Sequence, residues 1–290
     1  EGCKDALGQQ VGSSLEKSSH QVKVKVMDAS ELYDPEFRKL IKEKKPTAII
    51  PVGSLEQHGA HLPITTDSDI VTEIASRLAK KCGFIVFPTI SYGLSFEHYP
   101  LFNASISPQN FGDVLMDVVR SLLTNNIKSI IILNGHHGNA ETIERLESFL
   151  SHTHQIQLRR SGKKGPLVGV SVKQASHIKE IKKEFKGVKL RTYSYWQHMK
   201  HEFDHAGFVE TSLMLAISDK VKMKKAKKGL ITKGLSEKEI QRINKLSTER
   251  GGFPKVAKNG VWGDPTKATK KDGEKFLAEI VRNLAKECQS

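Results

Sequence analysis

Residues 48–82 read AIIPVGSLEQHGAHLPITTDSDIVTEIASRLAKKC, and within them the hydrophobic period changes from that of a strand to that of a helix. Ala48 to Val52 is an apolar run of strand length. From about Ser68 to Lys81 the residues Ile70, Val71, Ile74, Ala75 and Leu78 fall on one helical face. The loop between the two elements carries Glu56, His58, His61, Asp67 and Asp69, a density of oxygen and imidazole donors that is the sequence signature of a divalent-metal site.

The same alternation continues along the chain. Phe84 to Phe87 reads as a strand and Pro108 to Asn125 as a helix with Phe111, Val114, Leu115, Val118, Val119 and Leu122 inward. Ser129 to Leu133 reads as a third strand, whose unbroken apolar character predicts burial on both faces, as in a parallel sheet. Further on, the pattern predicts a helix over about 140–150, a strand over 167–172, and helix plus irregular structure over 173–200. A loop entering a helix over 205–217 follows, then a helix over 236–246 opened by a Ser236/Glu239 capping box, and a last helix over about 271–286. Strands alternating with helices predict an α/β layer fold with a mostly parallel sheet. With no internal repeat and no low-complexity linker, the expected organisation is one domain over 23–290 after a poorly defined polar segment, 1–22.

Composition narrows the function classes. The 290 residues are 38% hydrophobic, enough for a substantial core, and no stretch approaches the ~20 apolar residues of a membrane span. Residues 1–20 lack the apolar stretch of a secretory signal. Cys3, Cys82 and Cys288 stand far apart, which argues against a thiolate zinc site or a disulfide scaffold and predicts a cytoplasmic setting. The net charge of +14 gathers in Lys220 to Lys228 and Lys267 to Lys275. No nucleic-acid-binding motif accompanies it, so those runs read as a solvated exterior with no nucleic-acid partner.

Two more clusters, NGHHGN (Asn134 to Asn139) and HAGFVETS (His205 to Ser212), supply the same donor types from distant positions. In parallel α/β folds such loops converge at the carboxyl ends of the strands. A Glu-x-His pair in extended backbone puts Glu56 and His58 on one face, and Asp67 has two oxygens with which to bridge neighbouring ions. Two ions about 3.5–4 Å apart hold a hydroxide between them while polarising a carbonyl. His61 is expected to orient a ligating carboxylate, and Asp69 to cap the following helix.

Together PVGSLEQHGAHLP…D, NGHHGN, HAGFVETS and GDPTKAT resemble the creatininase family of metal-dependent amidohydrolases, from about Ala48 to the C-terminus. The resemblance implies a Rossmann-like three-layer sandwich, two divalent ions of Zn, Mn or Fe type per chain, hydrolysis of a C–N bond in a small cyclic amide or formamide, and a ring-shaped homo-oligomer. It assigns Glu56, Asp67 and His136 to one ion, His58 and the bridging Asp67 to the other, and a proton-shuttling role to His205. The chain departs from creatininase at Gly138, where that enzyme carries a ligating Glu, and Glu210 is the expected substitute. His137 replaces an aromatic residue, which disfavours creatinine itself. Ser95 and His98, in a segment similar to the family's GxSxEH, are expected at the substrate together with His137. Creatinine, a formylamino-pyrimidine nucleotide and the C-terminus of a redox-cofactor precursor peptide are the competing substrates, and the basic surplus leans toward a phosphorylated one. Loss of the Glu at Gly138 also leaves room for a binding or regulatory protein on the same fold.

Overall fold

The computed structural model describes residues 27–155 and 172–289. Five strands, β1 (Met27–Asp28), β2 (Ala48–Val52), β3 (Ile85–Val86), β4 (Ser129–Asn134) and β5 (Lys189–Ser194), form one sheet in the order β1-β3-β2-β4-β5. Every pairing among them is parallel. The helices are α1 (Asp34–Lys44), α2 (Thr66–Cys82), α3 (Pro108–Thr124), α4 (Ala140–Gln155), α5 (Val172–Glu184), α6 (Phe208–Ile217), α7 (Glu237–Ser247), α8 (Phe253–Val256) and α9 (Lys270–Gln289).

The unbroken apolar run of β4 is explained by what lies on its two sides. Ile131 and Leu133 enter one core with side chains of α2, α6 and α9. Ile130 and Ile132 enter a second core with side chains of α1, α3, α4 and α5. Strand side chains alternate in direction, so a sheet covered on both faces needs an apolar residue at each position. In β2 the same division sends Ile49 to the first core and Ile50 and Val52 to the second. The result is the three-layer α/β sandwich expected from the sequence.

Two stretches differ from the sequence reading. Over 173–200 the structure has α5 followed by β5, a complete strand of sequence KLRTYS. Among the described residues β5 is last in the order, beside β4, and most of its residues are partly exposed, so its mixed composition hid it. The strand expected over 167–172 lies outside the described residues but for Val172, which opens α5, and so does the segment 1–22. The Ser236/Glu239 capping box is present, Ser236 Oγ accepting from the Glu239 amide at 3.4 Å and the Ser236 amide donating to the Glu239 carboxylate at 2.9 Å. Among the described residues no helix is long and apolar enough to cross a membrane.

Because both faces of β4 are core, Ile131→Ala and Ile132→Ala should each cost about 2–5 kcal/mol in urea unfolding. A one-sided sheet would show such a loss at only one of these neighbours.

Candidate metal centre

The carboxyl ends of β2 and β4 deliver the ligand-type side chains. Beyond β2 the chain stays extended and pinned, with the Glu56 amide on Ile64 O at 3.1 Å and the Gln57 amide on Phe102 O at 2.9 Å. Glu56 and His58 therefore point the same way, and both are buried. Asp67 stands in the first turn of α2, where the helix N-terminus favours a carboxylate. Beyond β4, Asn134 Oδ1 accepts the His136 amide at 3.0 Å. Asn139 ties the loops together, its Nδ2 donating to Gly53 O at 2.9 Å and its Oδ1 accepting the Leu94 amide at 2.9 Å. Glu210 lies in the first turn of α6, whose N-terminal amides at Val209 and Glu210 donate to Asp204 at 2.9 and 3.3 Å.

These side chains close into two nests that share one carboxylate. In the first, His136 Nδ1 lies 3.3 Å from Glu56 Oε2 and 3.1 Å from Asp67 Oδ2. In the second, His58 Nε2 lies 3.2 Å from Asp67 Oδ1 and 3.5 Å from Glu210 Oε2. The outer nitrogen of each ring is held by the main chain: His136 Nε2 donates to Leu94 O at 2.7 Å, and His58 Nδ1 to Glu56 O at 3.1 Å. A neutral imidazole so held turns its lone pair inward, which is how metal-binding histidines are oriented. Glu210 Oε1 is fully buried with no hydrogen bond, and the buried Glu56 Oε1 and Asp67 Oδ2 have histidine nitrogens beside them, at 3.0 and 3.1 Å. Buried carboxylate oxygens without donors are costly, and a divalent cation is the partner this donor set fits.

The electrostatics carry the same signature. Burial pulls His58 down, but Asp67, Glu210 and Glu56 outweigh it and push the imidazole up to about 10. Burial likewise opposes the charge on His136, and Glu56 and Asp67 raise it well above the usual value. Burial lifts Glu210 to about 8 despite the nearby His58. Three carboxyls packed this closely call for positive charge among them, and without an ion the two rings supply it as protons. His205 is opposite in character, held well below the usual imidazole range by burial and by His58 and His98. It stays neutral beside the nests, with Nδ1 3.8 Å from Glu56 Oε1.

The other expected residues divide. His137 lines the cavity above the nests and packs against the Trp196 and Phe203 pair, with ring centroids at 5.8 and 6.1 Å. His98 also borders that cavity, but its nitrogens are taken, Nε2 lying 3.0 Å from Glu56 Oε1 and Nδ1 2.9 Å from Gln57 Nε2. Ser95 is fully buried and paired with Ser105 at 2.9 Å, away from the cavity wall. His61 was expected on a carboxylate; its Nε2 instead meets Thr211 Oγ1 at 2.9 Å, and burial keeps the ring near 4. Asp69 accepts from the Thr65 hydroxyl at 2.8 Å, at the start of α2. Sequence reasoning missed Asp204, whose position before a helix start was its only signal, and Gln57, hidden between two candidate ligands.

A sequence profile of the creatininase family, described as creatinine amidohydrolase, matches residues 30–288. The chain belongs to the creatininase family. Hydrolases of this family act on carbon–nitrogen bonds, and this chain is such a hydrolase. It is 30% identical to the mycofactocin precursor peptide peptidase of Mycolicibacterium smegmatis, over 83% of each chain. It is 27% identical to the creatinine amidohydrolase of Pseudomonas putida, over 58% of this chain and 63% of the relative. A deformylase of 2-amino-5-formylamino-6-ribosylaminopyrimidin-4(3H)-one 5'-monophosphate from Methanosphaera stadtmanae is 38% identical over 39% of this chain and 50% of its own. Among solved structures, a mutant creatininase of Zn-Zn type superposes with a TM-score of 0.69 at 20% identity, covering 91% of this chain and 97% of the other. A manganese creatininase does so at 0.66 and 21%, with the same coverage.

Against that family background the departure at Gly138 has a steric cause. A Cβ at Gly138 would lie 2.1 Å from Leu94 O and 2.5 Å from His136 Nε2, so this backbone admits no side chain there. Restoring the creatininase residue by Gly138→Glu should therefore not rebuild a ligand. It should destabilise the fold by about 1–3 kcal/mol, measured by urea unfolding, through overpacking against a main-chain carbonyl that cannot yield cheaply.

Proposed function

We propose that this protein is a metal-dependent amidohydrolase with two divalent ions, one held by Glu56, Asp67 and His136 and the other by His58, Asp67 and Glu210, acting on an extended amide of peptide type. The observation that carries the reading is the pair of nests sharing Asp67, with Glu210 Oε1 buried and without any donor. Divalent ions bound there would acidify a water molecule and polarise the amide oxygen. The chain's own residues do the rest. His205, neutral and bordering the cavity, accepts a proton as the water oxygen adds to the carbonyl carbon, and returns it to the nitrogen as the C–N bond breaks. Glu56, Asp67 and Glu210 stay fixed because their neighbours are buried and bonded.

The cavity argues for size. It encloses about 830 Å³ and runs from His136 and Glu210 past Glu141, Glu144 and Arg145 to Asn244, Ser247 and Thr248. That is the volume of a site for an extended ligand, far more than one small ring fills. It also argues about charge. Its outer wall presents Glu97, Glu141 and Glu144 against Arg145, and Arg145 is already paired with Glu141. Among the described residues no uncompensated lysine or arginine lines it, so the lean toward a phosphorylated substrate drawn from the net charge finds no support there. Among the relatives, the peptide peptidases match over the longest stretch of both chains, in accord with this choice.

Metal analysis and activity test the reading together. Asp67→Ala should empty both sites, His58→Ala should deplete one, and His205→Ala should keep full metal while lowering kcat by about 10²–10⁴. Equal loss of metal from Asp67→Ala and His58→Ala would overturn the assignment of separate sites. A full set of ions with no hydrolysis of any amide would favour the binding-protein alternative.

On substrate, the zinc- or manganese-loaded enzyme should release an amine from unphosphorylated peptides, measured by mass spectrometry, with kcat/KM above those for creatinine and for the formylamino-pyrimidine nucleotide. Preference for the nucleotide would refute the argument from cavity charge.

A further inference from the structure

Gln57 sits between the two candidate ligands Glu56 and His58, and its side chain is buried and fixed at both ends. Its Oε1 accepts the Gly59 amide at 3.0 Å. Only an oxygen can do this, so the amide nitrogen faces the other way. There Nε2 meets His98 Nδ1 at 2.9 Å and His205 Nε2 at 3.1 Å. The seat is built for the amide: a Cβ at Gly260, whose φ is +72°, would lie 1.8 Å from Gln57 Oε1.

We infer that Gln57 is a positioning residue that dictates where the protons sit on His98 and His205. This rests on the reading of His205 as the proton carrier. With two hydrogens to give, the amide makes His98 Nδ1 an acceptor, which leaves the ring proton on Nε2, 3.0 Å from Glu56 Oε1. His98 thereby holds Glu56 in place from the side away from His136. For His205 the same residue offers both kinds of partner at one nitrogen. Its main-chain carbonyl lies 3.1 Å from Nε2 and accepts when that nitrogen carries the proton, leaving Nδ1 bare toward Glu56. Its side-chain amide, also at 3.1 Å, donates when the proton has moved to Nδ1. Uptake of a proton at Nδ1 makes the ring an imidazolium whose Nε2 proton stays on the Gln57 carbonyl, so His205 gains and releases a proton at Nδ1 without losing that hydrogen bond.

A mere filler of the Gly260 seat would do none of this, and the two roles separate by spectroscopy. In the zinc-loaded full chain with ¹⁵N-labelled histidine, long-range ¹H–¹⁵N spectra should show His98 protonated at Nε2 and bare at Nδ1. Gln57→Glu, which can accept but not donate, should draw a proton onto His98 Nδ1. Gln57→Leu, similar in volume, should lower kcat by about 10–100-fold while zinc content and KM stay within about twofold. A wild-type His98 protonated at Nδ1 overturns the inference without any variant being needed. So does a Leu variant of unchanged kcat, or one that loses zinc while the His98 spectrum is unaltered. If no amide is hydrolysed, the functional reading fails, but the wild-type spectrum still decides the proton placement on His98.

Discussion

Asp67 is the constraint on which the rest of the centre depends. Its two oxygens face different histidines, at 3.2 and 3.1 Å, and so it belongs to both nests at once. Glu56 and Glu210 complete those nests, which brings three buried carboxyls into mutual range. Like charges about 4 Å apart repel by roughly 4 kcal/mol at the effective dielectric of a protein site. Such an arrangement persists only where something positive stands inside it and the scaffold resists spreading. Protons on His58 and His136 meet the first need without an ion. The scaffold meets the second through Asn139, which joins the loops after β2 and β4, and through Asp204, which holds the start of α6 against the cluster.

Much of this was legible in the sequence because it follows from short-range rules. The change of period within 48–82 marks a strand and a helix, and the alternate positions of Glu56 and His58 predict a shared face. The apolar run of β4 predicts two cores, and the structure has them. What stayed hidden was long-range or polar. The partly exposed residues of β5 erase the apolar signal, and its place beside β4 depends on a pairing some sixty residues distant. His61 carried a ligand's residue type in a ligand-rich segment, yet its partner is a hydroxyl on α6, and no spacing rule foretells that. Gln57 escaped notice because an amide between two candidate ligands looks like a spacer until both rings are seen to meet it.

The net charge is a property of the exterior and says little about the site. The lysines of 220–228 lie on an irregular stretch and short 3₁₀ turn whose side chains are mostly exposed or partly so. The cavity, by contrast, gathers Asp67, Glu97, Glu141, Glu144, Asp204 and Glu210 around a single arginine. Cations bound in the nests would offset the inner carboxyls and leave the outer wall acidic. Summing charge over a whole chain averages these two regions together, which is why +14 pointed toward phosphate and the lining of the cavity points away from it.

Gly138 and Glu210 are then two sides of one substitution. A ligand two residues after the NGH histidine reaches the centre from the β4 loop, whereas Glu210 reaches it from the first turn of α6, across the layer interface. Vacating position 138 lets the main chain at Leu94 approach, and that approach provides the carbonyl on which His136 Nε2 is held at 2.7 Å. Moving the carboxylate to α6 anchors it as well, since Glu210 Oε2 accepts the Ala206 amide at 2.6 Å. The exchange therefore conserves the count of donors while tightening the orientation of one histidine. Under the proposed ligand set, the glycine at 138 thus goes together with a carboxylate supplied from α6 in place of the β4 loop.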